Sequence, residues 1–279
     1  MEKTKCGQKP RKGRGLLLCA LVLLALCALD VRLAVRTYTV DLPRVEGKVR
    51  LALIADLHSC RYGREQRTLL EALEQQKPDA VILCGDFFDD KLPLDNARLV
   101  LEGIGSAYPC YYVTGNHEYW SDHQKFRQMM ALLEQNHVED ISGQTVQVQL
   151  NGQTLNLCGV DDPANPWNRS IEGQLPGLRS AADQAYDSVL ICHRPGLFDT
   201  YCIHGFGLVL SGHAHGGQWR IPGLLNGLIS PDEGFLPDYA GGRYDRYDTT
   251  MIVSRGLARE STLIPRVFNR PELVIVEVE

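Results

Sequence analysis

The sequence predicts one α/β domain behind an apolar amino-terminal helix. Three observations predict it: short apolar runs alternate with helical patterns over residues 49–136, an Asn151-Gly152 hairpin signal opens a second group of strands, and residues 15–29 carry no charge. A length of 279 residues suits one full-sized α/β domain with an appendage. The apolar and charged fractions, 44% and 23%, are those of a folded protein. A net charge of -5 argues against general nucleic-acid binding, and no nucleic-acid partner is expected. It is compatible with metal-dependent chemistry, because bound divalent ions supply local positive charge.

The amino-terminal element comes first. Lys3, Lys5, Lys9, Arg11, Lys12 and Arg14 face a single acid, Glu2, and precede the apolar run GLLLCALVLLALCAL. Extended through Val35, that run is just long enough to cross a bilayer. Positive charge ahead of it predicts a cytoplasmic amino terminus with the rest of the chain on the far side. The rival is a cleaved signal peptide, leaving a secreted domain. It is the weaker reading, because no A-x-A triplet follows and Leu26 before Cys27 spoils a lipobox. The expected organisation is a basic cytoplasmic segment at 1–14, a transmembrane anchor at 15–35, a tether at 36–47 and a catalytic domain at 48–279.

Within that domain, residues 49–55 (VRLALIA) read as a strand ending at Asp56, and 64–76 as a helix stopping before Pro78. A buried strand follows at 80–84, a helix at 94–104 and a short strand at 111–113. Ser121 reads as the N-cap of a helix reaching Asn136. Strands at 145–150 and 154–160 flank the Asn-Gly turn. Further short strands are expected at 189–192, 208–210, 251–254 and 273–278. The nine cysteines show no CxxC pair, and Cys84, Cys158 and Cys192 sit in apolar runs as small buried residues, so no disulfide framework is expected.

Potential metal ligands cluster at the strand ends: Asp56-Leu57-His58, Gly85-Asp86-Phe87-Phe88-Asp89, Gly115-Asn116-His117-Glu118, Cys192-His193 and Gly212-His213-Ala214-His215. Loops at such ends face a common crevice. On an extended segment, residues i and i+2 point the same way, so Asp56 with His58, and His213 with His215, each offer two donors to one place. The mixed oxygen and nitrogen donors suit Mn, Fe or Zn better than Mg or Ca. A pair of ions needs a bridging carboxylate, and Asp86 is the natural one.

In order, these five motifs resemble D-x-H, G-D-x-x-D, G-N-H-[DE], H and G-H-x-H of the calcineurin-like metallophosphoesterase superfamily. The sequel GHAHGGQW and SRGL…IPRVFNRPE resembles its YkuE/YaeI-like membrane-associated branch. The resemblance implies an α/β two-sheet sandwich flanked by helices (αββα layers), here preceded by a transmembrane helix. It implies two divalent ions: one on Asp56, His58, Asp86 and His215, the other on Asp86, Asn116, His193 and His213. His117 is the expected general acid, with Asp89 or Glu118 orienting it or a ligand histidine. The implied activity is hydrolysis of phosphate ester or pyrophosphate linkages in a phosphorylated small molecule, a lipid or a nucleotide-linked lipid. The reading from a different class is a non-catalytic, metal-binding envelope protein; an intact His117 speaks against it.

Several features admit two readings. Gly216-Gly217 is either a plain turn or a close backbone approach to phosphate. Asp161-Asp162-Pro163 is either a loop cap or a substrate contact. Residues 223–247 either cover a sheet edge or line a groove near the bilayer through Leu224, Leu225, Phe235 and Leu236. His123, His137 and His204 are expected to be structural.

Overall fold

The computed structural model describes residues 12–167, 170–231, 233–262 and 264–279, without the side chains of 12–14. Most of the basic segment expected over 1–14 lies outside the described residues. Helix α1 spans Lys12–Ala28. It is followed by strand β1 at Ala34–Val40 and β2 at Val49–Ile54. Then come α2 (Arg67–Gln76), β3 (Ala80–Cys84), α3 (Asp95–Ile104), β4 (Cys110–Val113), α4 (Asn116–Trp120), α5 (His123–Gln135) and β5 (Val138–Asp140). The second half runs β6 (Thr145–Leu150), β7 (Gln153–Gly159), α6 (Ile171–Ala181), β8 (Ser188–Ile191), α7 (Phe198–Ile203) and β9 (Leu208–Ser211). It closes with β10 (Ile229–Ser230), β11 (Gly234–Phe235), β12 (Gly242–Arg246), β13 (Thr249–Val253) and β14 (Glu272–Val278).

Two six-stranded sheets form, in the orders β1-β14-β2-β3-β4-β5 and β12-β13-β9-β8-β7-β6. Leu51, Leu53 and Ile82 of the first meet Leu157, Val189, Ile191 and Leu210 of the second in one core. Alternate residues Ala52, Ile54, Val81 and Leu83 turn the other way, onto α2, α3 and α5. Cys158, Leu190 and Val209 do the same under α6 and α7. Both faces of the central strands are dry, which is why β2 and β3 read as unbroken apolar runs. The layers are therefore α, β, β, α, as the sequence resemblance implies. Every cysteine among the described residues is free.

The amino-terminal helix is shorter than the sequence suggests. The helix stops at Ala28, not Val35, and no helix among the described residues is long and apolar enough to cross a membrane. The chain turns because the Asp30 carboxylate accepts from the Arg32 backbone N–H at 3.0 Å and from its guanidinium at 2.9 Å. Residues 36–47 are not a tether either. β1 pairs in parallel with β14 over seven residues, and Val40, Leu42 and Val45 are buried in the core between the sheets. The packed domain thus begins at Ala34.

The register has a spatial consequence. Ala34 pairs with Glu272, and Val274 with Leu53, so the start of β1 lies level with the end of β2, beside Asp56. Helix α1 leaves the domain at the edge where the parallel strands β2, β3 and β4 end.

A chain starting at residue 31 is expected to unfold cooperatively, because β1 stays complete. One starting at residue 48 loses β1 with Val40, Leu42 and Val45. Burial of each such side chain contributes roughly 1.5–3 kcal/mol, so its unfolding midpoint in urea should fall clearly below that of the longer chain.

Candidate metal centre

The loops after β2, β3, β4, β8 and β9 carry Asp56 with His58, Asp86, Asn116, His193, and His213 with His215. Backbone bonds lace these loops together. Asp56 N–H donates to the Gly85 carbonyl at 3.1 Å, His58 N–H to the Asp86 carbonyl at 2.9 Å, and Gly212 N–H to the His193 carbonyl at 3.0 Å. Five of the donor residues turn in the left-handed region: Asp56 (φ 51°), His58 (47°), Asp86 (47°), His213 (67°) and His215 (49°). Each such non-glycine residue costs about 1–2 kcal/mol. The i, i+2 argument from extended chain is therefore corrected: both pairs converge through sharp turns. Gly85, at φ 73°, permits a close approach, since a Cβ there would lie 2.5 Å from the His193 ring.

All seven expected ligand residues are buried, and six of them, all but Asn116, fall into groups of neighbouring donor atoms. Donor atoms of Asp56, His58, Asp86 and His215 lie within 4.8 Å of one another, as do those of Asp86, His193 and His213. Asp86 is common to both groups. One of its oxygens accepts the His117 backbone N–H at 2.9 Å. The other faces His193 Nε2 at 3.2 Å and His58 Nε2 at 3.6 Å. Burial alone would raise the Asp86 carboxyl, but the facing His193 and the nearby His58 hold it well below its ordinary value, as a carboxylate.

The residues fit bound cations. Asp56 Oδ2, His58 Nε2, Asn116 Oδ1 and His215 Nδ1 are buried without a hydrogen-bond partner. Such orphans are costly unless something outside the protein satisfies them. His213 Nδ1 lies 3.1 Å from His193 Nε2, a meeting of two nitrogens that only a proton or a cation reconciles. Other atoms already fix the ring faces. The Cys84 carbonyl accepts from His193 Nδ1 at 2.9 Å, and Asp89 from His58 Nδ1 at 3.2 Å, leaving each Nε2 for the centre. Partial burial would raise Asp89, yet hydrogen bonds from His58, Leu92 and Lys91 lower it to about 2.

Asp89 therefore orients a ligand histidine. Glu118 touches no imidazole: its carboxylate accepts from the N–H groups of Asp86 (3.1 Å), Phe88 (3.1 Å) and Gly115 (2.8 Å), bracing two loops. Burial and the Asp86 charge push it up to about 7. The residue that sequence reasoning missed is Asp90, which lies 2.7 Å from His117 Nδ1. Its only signal was a second aspartate after GDFFD. Asn269, also missed, donates to the His215 and Gln218 carbonyls at 2.8 and 3.1 Å. The His117 ring lies edge-on to His58, 4.4 Å between centroids, and remains partly open to solvent.

Residues 49–217 match the sequence profile of the calcineurin-like phosphoesterases, more than half of the chain. The chain belongs to that family. Its members use two divalent metals, which the two donor groups sharing Asp86 suit. The chain is 27% identical over 253 residues to the metallophosphoesterase YkoQ of Bacillus subtilis, covering 88% of this chain and 90% of that one. A bovine transmembrane protein with a metallophosphoesterase domain is 26% identical over 232 residues, covering 78% of this chain and 50% of that protein. Among solved structures, the sulfate thiohydrolase SoxB of Thermus thermophilus superposes with a TM-score of 0.50 at 13% identity, over 78% of this chain and 53% of that one. At such identity the likeness shows the fold.

The features with two readings divide. Asp162 accepts both Arg194 nitrogens, at 2.8 and 3.0 Å, and the Ala164 N–H, which makes it a loop cap beside His193. Gly216 and Gly217 form a left-handed turn; a Cβ on either would meet Asn269 Oδ1 at 2.3 Å or the Gly227 Cα at 2.4 Å, so packing alone demands glycine there. Leu224, Phe235 and Leu236 are exposed rather than laid over a sheet edge. His123 and His137 are exposed, His204 is half-buried, and none of them joins a donor cluster among the described residues.

Replacing Glu118 by alanine leaves three buried N–H groups unsatisfied, at roughly 1–3 kcal/mol each. The expected result is a lower thermal midpoint and weaker metal retention on dialysis, with Glu118→Gln intermediate.

Proposed function

We propose that the chain is a membrane-anchored two-metal phosphoesterase whose centre opens toward the bilayer it is anchored in. The observation that carries the catalytic part is the convergence of buried donor groups on the Asp86 carboxylate, with Asp56 Oδ2, His58 Nε2 and His215 Nδ1 left without hydrogen-bond partners. Asp56, His58, Asp86 and His215 would hold one ion, and Asp86, Asn116, His193 and His213 the other; the donor chemistry favours Mn, Fe or Zn. Bound there, divalent ions supply Lewis acidity to phosphoryl oxygens and acidify water.

The remaining work falls to the chain. Asp90, a carboxylate at His117 Nδ1, keeps the proton on that nitrogen and turns Nε2 outward. Nε2 is then the atom that donates a proton to the leaving oxygen, His117 acting as general acid. Asp89 and the Cys84 carbonyl hold the His58 and His193 rings so that their Nε2 atoms stay aimed inward.

Support for the anchor comes from α1. Its leucines are mostly exposed, Leu16 at 73% and Leu26 at 66%, an arrangement unfavourable in water and favourable in lipid. The chain charge ahead of the helix favours a catalytic domain outside the cytoplasm. Since α1 leaves at the edge occupied by the metal loops, a phosphorylated lipid, or a nucleotide-linked lipid as in the YkuE/YaeI-like branch, is the favoured substrate class. The exposed Phe235 and Leu236, which follow the GHAH motif in the sequence, suit contact with acyl chains.

Release of p-nitrophenol from p-nitrophenyl phosphate or its bis ester, dependent on added manganese and abolished by chelator, tests the enzyme. Asp86→Ala should abolish turnover together with retention of a metal pair. His117→Ala should keep both metals and lower kcat by about 10²–10⁴, and Asp90→Asn should lower it less. A chain that binds two metals yet turns over no ester or pyrophosphate would instead be a binding protein. For the anchor, the full chain should sediment with membranes after carbonate washing, and a chain starting at residue 31 should not.

A further inference from the structure

A second polar cavity lies apart from the metal donors, at the foot of α1. It has a volume of about 450 Å³, and Arg36, Arg220 and Arg255 line it together with Ile221, Leu224 and Phe268. No lining residue is acidic. Arg255 is neutralised by Glu272, whose carboxylate accepts its Nε at 2.6 Å. Arg36 and Arg220 have no carboxylate within 4.0 Å among the described residues; Arg220 donates only to the neutral Asn226 side chain and the Gly216 carbonyl. Two uncompensated guanidinium groups therefore share one concave site. Burial, and then the adjacent Arg255 charge, lower the Arg220 pKa against a smaller opposing pull from Glu272.

The cavity is joined directly to the anchor. Phe268 N–H donates to the Ala28 carbonyl at the end of α1 at 2.6 Å, and Arg270 donates to the Arg32 and Leu33 carbonyls at 2.9 and 2.8 Å. Its rim is apolar and open: Leu224 is 83% exposed and Ile221 49%. Arginines below an exposed apolar rim match the order of layers at a bilayer surface, where charged headgroups give way to acyl chains.

We propose that this cavity binds the phosphate of an anionic phospholipid headgroup, with Arg36 and Arg220 as its cationic partners. Guanidinium forks meet phosphate oxygens in pairs, which a lone ammonium does not. The site rests on the reading of α1 as a membrane anchor, and not on hydrolysis. By holding a headgroup beside the Arg220–Gly216 contact, it would fix the tilt of the domain, with the loop bearing His213 and His215 turned to the lipid surface.

The test uses the full chain in nanodiscs of phosphatidylcholine mixed with phosphatidylglycerol, extracted gently and weighed by native mass spectrometry. The expected result is retained phosphatidylglycerol in preference to phosphatidylcholine. Arg36→Gln and Arg220→Gln should each reduce that preference about fivefold, the contribution of one arginine at an anionic surface. Arg36 is exposed on β1, so its variant tests the site without disturbing the fold; Arg127→Gln, on the exposed face of α5, should leave the preference intact. Equal retention by the wild type and the double variant would overturn the proposal. So would binding of inorganic phosphate to the cavity with no preference among lipids, which would make it a free-anion site. Failure of the full chain to enter nanodiscs would remove its premise, whereas loss of turnover in Asp86→Ala bears only on the hydrolase reading.

Discussion

The Asp86 carboxylate, buried between two groups of imidazoles, is the constraint around which the fold is arranged. One of its oxygens is taken by a backbone N–H from the loop after β4, and the other lies between His58 and His193. A carboxylate in so dry a place is tolerable only when its charge is answered from several directions. Five loops from two sheets must therefore end within reach of it. Left-handed backbone at the donor residues, the Glu118 brace and the close approach at Gly85 all serve that convergence.

Most of the catalytic architecture was legible because it lies on strongly patterned segments. β2, β3, β8 and β9 are readable as apolar runs, and their ends coincide with the motif residues. The seven candidate ligand residues are legible as motifs, but not the left-handed turns that bring the histidine and aspartate donors together. Positive φ at Asp56 and His58 leaves no trace in residue type, since neither is glycine. Asp90 escaped because two adjacent aspartates look alike until a loop turns one toward His58 and the other toward His117.

Elsewhere the pattern misled for identifiable reasons. β1 resembles a polar tether, as its Arg36, Thr37 and Thr39 face solvent on an edge strand, and only its pairing with β14 reveals it. α6 carries Gly173, Pro176 and Gly177, which weaken any helical reading, yet Ser170 caps it and Leu175 and Leu178 bury its inner face. The helix expected to be capped by Ser121 starts one residue later, because the Asp122 side chain accepts from the Gln124 and Lys125 N–H groups, both at 2.9 Å. The apolar run at 15–29 was plain, but its end was set by the Asp30–Arg32 turn, a local contact that hydropathy does not register.

The place of β14 in the first sheet has a consequence for biogenesis. It lies between β1 and β2, so the two strands nearest α1 cannot join until residues 272–278 have emerged from the ribosome. Until then β2 presents an open edge, and β1 hangs from the helix with its pairing groups unmet. Pairing across more than two hundred residues closes slowly. A nascent chain of this kind would spend its synthesis exposed to chaperones and proteases, and become resistant to them late and in a single step.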